Sequence, residues 1–163
     1  MGENFEKLAN YLGELDNLSN ASGVLGWDHQ VMMPPKGASA RARQMGTLSR
    51  IIHDMRSSDE LGRLLEDAES EIDGADFNSN EASLVRVAKR DYEQATRVPT
   101  DLVVKLAQET AMAQEVWVKA RQDNDYGSFR PTLERIFDLT RESAEHLGYD
   151  SNPYDALIDQ YEH

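Results

Sequence analysis

The run Gly26-Trp27-Asp28-His29-Gln30-Val31-Met32-Met33-Pro34-Pro35 decides how this chain folds, because it ends one long helical pattern and sets where the next begins. A residue before proline is pushed out of the α region, and proline has no N–H for the helix ladder. A helix entering this run must stop by Met33. Upstream, apolar residues recur at Phe5, Leu8, Leu12, Leu15, Leu18, Ala21 and Leu25 and reach Met32, which is the three-and-four spacing of one helix face. Gly23 and Gly26 interrupt that pattern. Each costs about 1 kcal/mol relative to Ala inside a helix, so close approach of another backbone is the expected reason for keeping them.

Downstream of Gly37 the same spacing returns at Ala38, Ala42, Met45, Ile52 and Met55, which predicts a second helix. Ser57-x-x-Glu60 has the form of a capping box for a third, carried by Leu61, Leu64, Leu65, Ala68 and Ile72 and ended by Gly74. Asn78 or Asn80 is expected to cap a fourth helix, with Val85, Ala88, Tyr92 and Ala95 inward and Pro99 at its end. A fifth follows on Leu102, Val103, Leu106, Thr110, Ala113, Trp117 and Ala120, until Asp123-Asn124-Asp125-Tyr126-Gly127-Ser128 breaks it. Phe129, Leu133, Ile136, Thr140, Ala144 and Leu147 predict a sixth, closed by Gly148. Asn152-Pro153 opens a short last one through Tyr154, Leu157, Ile158 and Tyr161. With no period-two strand and no repeat, the fold class is all-α: an antiparallel bundle of about six helices plus a short C-terminal helix, in a single domain over residues 1–163.

Composition narrows function by exclusion. Seventeen basic against 30 acidic residues leave a net charge of −13, which disfavours nucleic acid and anionic membranes as partners. Six carboxylates between Glu66 and Asp76, with no base among them, read as a solvated face and turn, since a calcium loop needs a tighter alternation of ligands. No apolar run approaches the ~20 residues that span a bilayer. The start has neither a basic nor an apolar leader segment, so a cytoplasmic location is expected. There is no cysteine, which rules out disulfides and thiolate metal ligands.

The four histidines, His29, His53, His146 and His163, never stand three or four residues apart, so no helical two-histidine zinc motif is present. Glu145 beside His146 is a poor acid–base pair, because adjacent helical side chains diverge by about 100°. His146 instead suits the negative end of a helix. No phosphate loop and no serine or cysteine nucleophile motif occurs. No catalytic residue and no metal ligand is assigned. Trp27, Asp28, Met32, Met33 and Arg41 remain as candidates for a substrate groove, against the simpler reading that Trp27, Met32 and Met33 pack in a core while Asp28 and Arg41 pair.

The combination of Trp27-Asp28 with Met32-Met33-Pro34-Pro35, Ala95-Thr96-Arg97-Val98-Pro99 and Pro153-Tyr154-Asp155-Ala156-Leu157-Ile158-Asp159-Gln160-Tyr161-Glu162 resembles the thermostable carboxypeptidase Taq family of zinc metallocarboxypeptidases. Gln160 stands where the pattern leads one to expect an acid. The resemblance implies a helical amino-terminal region that covers one side of a peptide cleft. It also implies that the zinc and its His-Glu-x-x-His helix belong to a part of the family not matched here. The expected role is therefore the amino-terminal domain of such an enzyme, with no cofactor of its own, inactive alone and acting on peptides only in a full-length context. The alternative is a freestanding helical interaction module. A homodimer, or the missing catalytic part, is the expected partner, because Trp27, Val31, Met32 and Met33 and the terminal Tyr154, Leu157, Ile158 and Tyr161 would otherwise leave apolar surface uncovered.

Overall fold

A computed structural model describes residues 2–34 and 36–161; Pro35 and the terminal Glu162 and His163, which take part in the motifs above, lie outside the described residues. Among the described residues there are seven α-helices and no strand, as the apolar periodicities require. They are α1 (Glu3–Val31), α2 (Ala38–Arg56), α3 (Asp59–Glu71), α4 (Asn80–Arg97), α5 (Thr100–Gln122), α6 (Tyr126–Leu147) and α7 (Pro153–Ile158). The chain forms two compact units, one from residues 1–21 and 51–97, the other from residues 22–50 and 98–163.

The first unit is built on Phe5, Leu8 and Leu15 of α1, Leu61, Leu65 and Ala68 of α3, and Val85 and Ala88 of α4, with Ile52 and Met55 of α2 packed against them. Leu8 and Leu61 are fully buried, each worth about 1.5–3 kcal/mol relative to exposure. The polar ends of these helices are tied to one another. The Glu71 carboxylate accepts from the N–H groups of Asn4 and Phe5 (3.3 and 2.8 Å), which have no partner inside α1. The Tyr11 hydroxyl donates to the Met55 carbonyl (2.9 Å) and shares a hydrogen bond with Ser58 Oγ (3.0 Å).

In the second unit α6 packs on both α5 and α7. Its buried residues are mostly small: Ala38, Ala42, Ala111, Ala113, Ala120, Ala144 and Ala156 beside Leu102, Leu139 and Leu147. Small side chains at a contact let helices approach toward the short end of the usual range of about 8–10 Å. Gly148 takes φ 83°, a left-handed conformation that suits glycine, and its N–H closes α6 on the Ala144 carbonyl at 2.9 Å.

Several boundaries differ from expectation. The third helix is capped by Ser58, whose Oγ accepts from Leu61 N–H at 3.1 Å. Ser57 follows the last residue of α2, and its N–H and hydroxyl both donate to the His53 carbonyl (2.9 and 2.8 Å). With the cap moved by one residue, Leu61 takes the N3 position, so Glu60 cannot make the reciprocal bond of a capping box. The α4 cap is Ser79, which accepts from Ala82 N–H at 3.2 Å, rather than Asn78 or Asn80. Asn78 is held in a turn by Asp76 Oδ1. The sixth helix starts at Tyr126, because Asp125 accepts from Ser128 N–H and so becomes its cap. Finally, α1 does run through Gly23 and Gly26, but a Cβ at either position would meet nothing within 4 Å. The close backbone approach expected there is absent among the described residues.

Candidate functional site

The groove candidates gather at the corner between α1 and α2, within the second unit. The chain leaves α1 with the Met32 and Met33 N–H groups both donating to the Asp28 carbonyl (2.9 and 2.8 Å). It turns at Pro34, whose carbonyl accepts from Gly37 N–H, and enters α2 with Arg41 N–H on the Gly37 carbonyl. Met33 folds over Gly37, where an added Cβ would lie 3.0 Å from Met33 Cγ and from the Pro34 oxygen.

Asp28 and Arg41 pair across this corner. The Arg41 guanidinium also donates to the Leu25 carbonyl and, at 3.1 Å, to Gln44 Oε1. Its side chain is only 13% exposed, against 34% for Asp28. One guanidinium thus neutralises a half-buried carboxylate and adds a charged donor to the Leu25 carbonyl of the same helix.

The apolar candidates behave differently from a core. Trp27 and Met32 are 59% and 67% exposed, while Met33 is half-buried under the turn. Val24, Trp27 and Val31, spaced three and four apart, share one face of α1, and all three are exposed. Two helical turns of apolar side chain therefore stand uncovered at a corner where Asp28 and Arg41 pair. The packing reading of Trp27 and Met32 is excluded for this chain by itself.

Next to this face, Gly26, His29 and Gln30 of α1, Met45 of α2, and Thr110, Ala111 and Gln114 of α5 line a cavity of about 150 Å³. His29 is buried, and neither ring nitrogen has a hydrogen-bond partner among the described residues. The sequence offered no signal for this, because a histidine at helical spacing looks the same whether paired or not. A second cavity, of about 200 Å³, lies where α5 turns into α6 and is lined by Trp117, Ala120, Arg121, Asn124, Asp125, Tyr126 and Phe129.

No three His, Cys, Asp or Glu side chains come together as a metal site among the described residues. The shifted ionisations belong to surface pairs. The hydrogen bond and charge of Lys7 hold Glu3 below the ordinary carboxylate range, and Lys105 does the same for Asp101. The Tyr149 phenol is pushed up by its hydrogen bond to Glu145 (2.6 Å), by burial and by that carboxylate's charge. Glu145 thus serves Tyr149, while His146 stands in the last turn of α6. No helix among the described residues is long and apolar enough to cross a membrane.

Residues 7–163 match the family described as carboxypeptidase Taq (M32) metallopeptidase. The chain is 34% identical over 145 residues to thermostable carboxypeptidase 1 of Pyrococcus furiosus, covering 89% of this chain and 28% of that protein. It is 35% identical over 167 residues to thermostable carboxypeptidase 1 of Thermus thermophilus, covering 97% and 33%. Among solved structures it is similar to BsuCP (TM-score 0.91, 25% identity, 99% of this chain and 32% of that one) and to Pyrococcus furiosus carboxypeptidase (TM-score 0.74, 32% identity, 99% and 32%). The chain spans about a third of the length of the relatives it matches.

Proposed function

Because the chain belongs to the carboxypeptidase Taq (M32) metallopeptidase family, we propose that it serves as the amino-terminal helical part of a zinc metallocarboxypeptidase, covering one side of the peptide cleft. Release of a C-terminal residue by such an enzyme needs a metal-activated water. The residues described here do not fit that metal, since no three ligating side chains converge, and no catalytic step is assigned to them. Their contribution is a wall. The observation that carries this reading is the uncovered Val24–Trp27–Val31–Met32 face beside the Asp28–Arg41 pair that ties α1 to α2. A face of that kind is held ready for another surface, and in the family reading that surface is the catalytic remainder together with the peptide.

The test is direct. The chain is incubated with equimolar zinc and a blocked dipeptide, and released amino acid and bound metal are measured. No release and no stoichiometric zinc are expected; one tightly bound zinc with chelator-sensitive hydrolysis would overturn the assignment.

A second reading, self-association of a freestanding module, is favoured by one further observation. Tyr154, Ile158 and Tyr161 near the C-terminus are also exposed, so two separate apolar sets await cover. Sedimentation across a salt series tests it. A dimer that tightens with salt is expected, since the net charge of −13 opposes pairing and is screened over about 8 Å at physiological salt; a monomer throughout would remove this reading.

A further inference from the structure

The cavity at the α5–α6 turn combines three aromatic side chains with one cation and one anion. Trp117, Ala120 and Arg121 stand at positions i, i+3 and i+4 of α5 and so share a face, with the buried Ala120 between two large side chains. Tyr126 and Phe129, three apart on α6, supply two more aromatic walls. The turn itself is sharply defined: Asn124 adopts φ 52°, and the Asp125 N–H reaches back to the Ala120 carbonyl at 2.8 Å. Three aromatic side chains around about 200 Å³ make a space suited to a small apolar body, below the 300–1,000 Å³ of drug-sized sites.

The charges in that lining are specific. The Arg121 guanidinium makes no ion pair or hydrogen bond among the described residues and is not stacked on any of the three rings. The nearest acid in sequence, Asp123, is taken by Lys119 at 3.1 Å. Asp125 uses Oδ1 to cap α6 through Ser128 N–H, which leaves Oδ2 without a partner among the described residues. The open cavity thus presents one cation and one anion, each with unused hydrogen-bonding capacity, beside three partly exposed aromatic side chains. A purely anionic ligand would be repelled by Asp125, and a purely cationic one by Arg121. A small zwitterion with an apolar side chain answers all three features: its carboxylate suits the planar fork of arginine, its ammonium suits a carboxylate, and its side chain suits the aromatic walls. We propose that this cavity binds a free α-amino acid with an aliphatic or aromatic side chain, its carboxylate on Arg121 and its ammonium on Asp125.

The experiment uses Trp117 as the reporter, in a Trp27→Phe background that leaves it the only indole of the two in the chain. The probe is L-leucine, with leucinamide (no carboxylate) and N-acetylleucine (no ammonium) as analogues. Two variants accompany them: Arg121→Gln, and Asp125→Ser, which retains an oxygen to cap α6 while removing the charge. The expected result is a fluorescence change that saturates with L-leucine within about 10 mM, and binding at least tenfold weaker for either analogue and for either variant. Circular dichroism of both variants is expected to match the parent, so that lost binding is not lost folding. The absence of a saturable change with L-leucine overturns the proposal, as does a weakening of less than tenfold in any of the four comparisons.

Discussion

Arg41 of α2 pairs with Asp28 of α1 and, with the same guanidinium, donates to the Leu25 carbonyl, so that one partly buried side chain closes the corner on which the exposed Trp27 and Met32 stand. Removing the cation leaves a half-buried carboxylate without its charge partner and takes one hydrogen bond from the Leu25 carbonyl. Hydrogen bonds to charged groups are worth about 1.5–3 kcal/mol. Arg41→Met is therefore expected to lower stability by about 2 kcal/mol in urea unfolding. Arg41→Lys is expected to recover less than half, because an ammonium cannot reproduce the planar fork. Full recovery by lysine would mean that only net charge matters at this corner.

Gly23 and Gly26 lie inside α1 with open space where a Cβ would go. Changing either to Ala should stabilise the chain by about 0.5–1 kcal/mol, since nothing opposes the gain in helix propensity. If another chain packs closely on this part of α1, the same substitutions will weaken that association while raising the melting temperature. Thermal unfolding of the two variants checks the first expectation, and co-purification with the partner the second.

His29 carries two buried ring nitrogens without partners among the described residues. Replacing an unsatisfied buried polar group by an apolar one of similar size is neutral or favourable, whereas breaking a real hydrogen bond costs about 1–3 kcal/mol. His29→Leu is expected to leave stability unchanged or raise it by about 1 kcal/mol. A clear loss in denaturant unfolding would show that His29 is hydrogen-bonded in solution.

The raised phenol of Tyr149 has a definite pH signature. Its folded value lies above the unfolded one, because the neutral hydroxyl donates to Glu145. The associated stabilisation is fully present below the ordinary tyrosine range and is lost as pH rises through the folded value. Tyr149 packs on Ala144, Leu147 and Ala156, so the loss falls on the α6–α7 contact. The gap in melting temperature between the parent and Tyr149→Phe should therefore shrink from pH 8 to pH 11. A gap independent of pH would remove Glu145 from the account.

Much of this architecture is legible from residue spacing, and the exceptions have physical causes. The helices follow from runs such as Leu61, Leu65 and Ala68, whose burial on one face repeats over many residues and tolerates local error. Caps rest on one residue's backbone geometry, so Ser57-Ser58 and Asn78-Ser79-Asn80 offer neighbouring candidates that periodicity cannot separate. The Asp28–Arg41 pair was readable because both sit one turn from a proline corner that brings their helices together. The exposure of Trp27 was one of two readings left open, because an apolar stripe looks the same whether its cover is in the same chain or in another. The α5–α6 cavity lay hidden in a segment that reads only as a breaker, and took shape once Asp125 became the cap of α6.

The central claim is that the Val24–Trp27–Val31–Met32 face meets the catalytic remainder of an M32 enzyme. The most direct measurement co-expresses this chain with Thermus thermophilus carboxypeptidase 1 lacking the matching third, and follows co-purification together with chelator-sensitive release of C-terminal residues. The account predicts a stable, active complex with this chain, and loss of both properties when Trp27→Ala and Val31→Asp are introduced together. A complex that forms and works equally well with the altered face would contradict it, and so would a failure of the unaltered chain to associate at all.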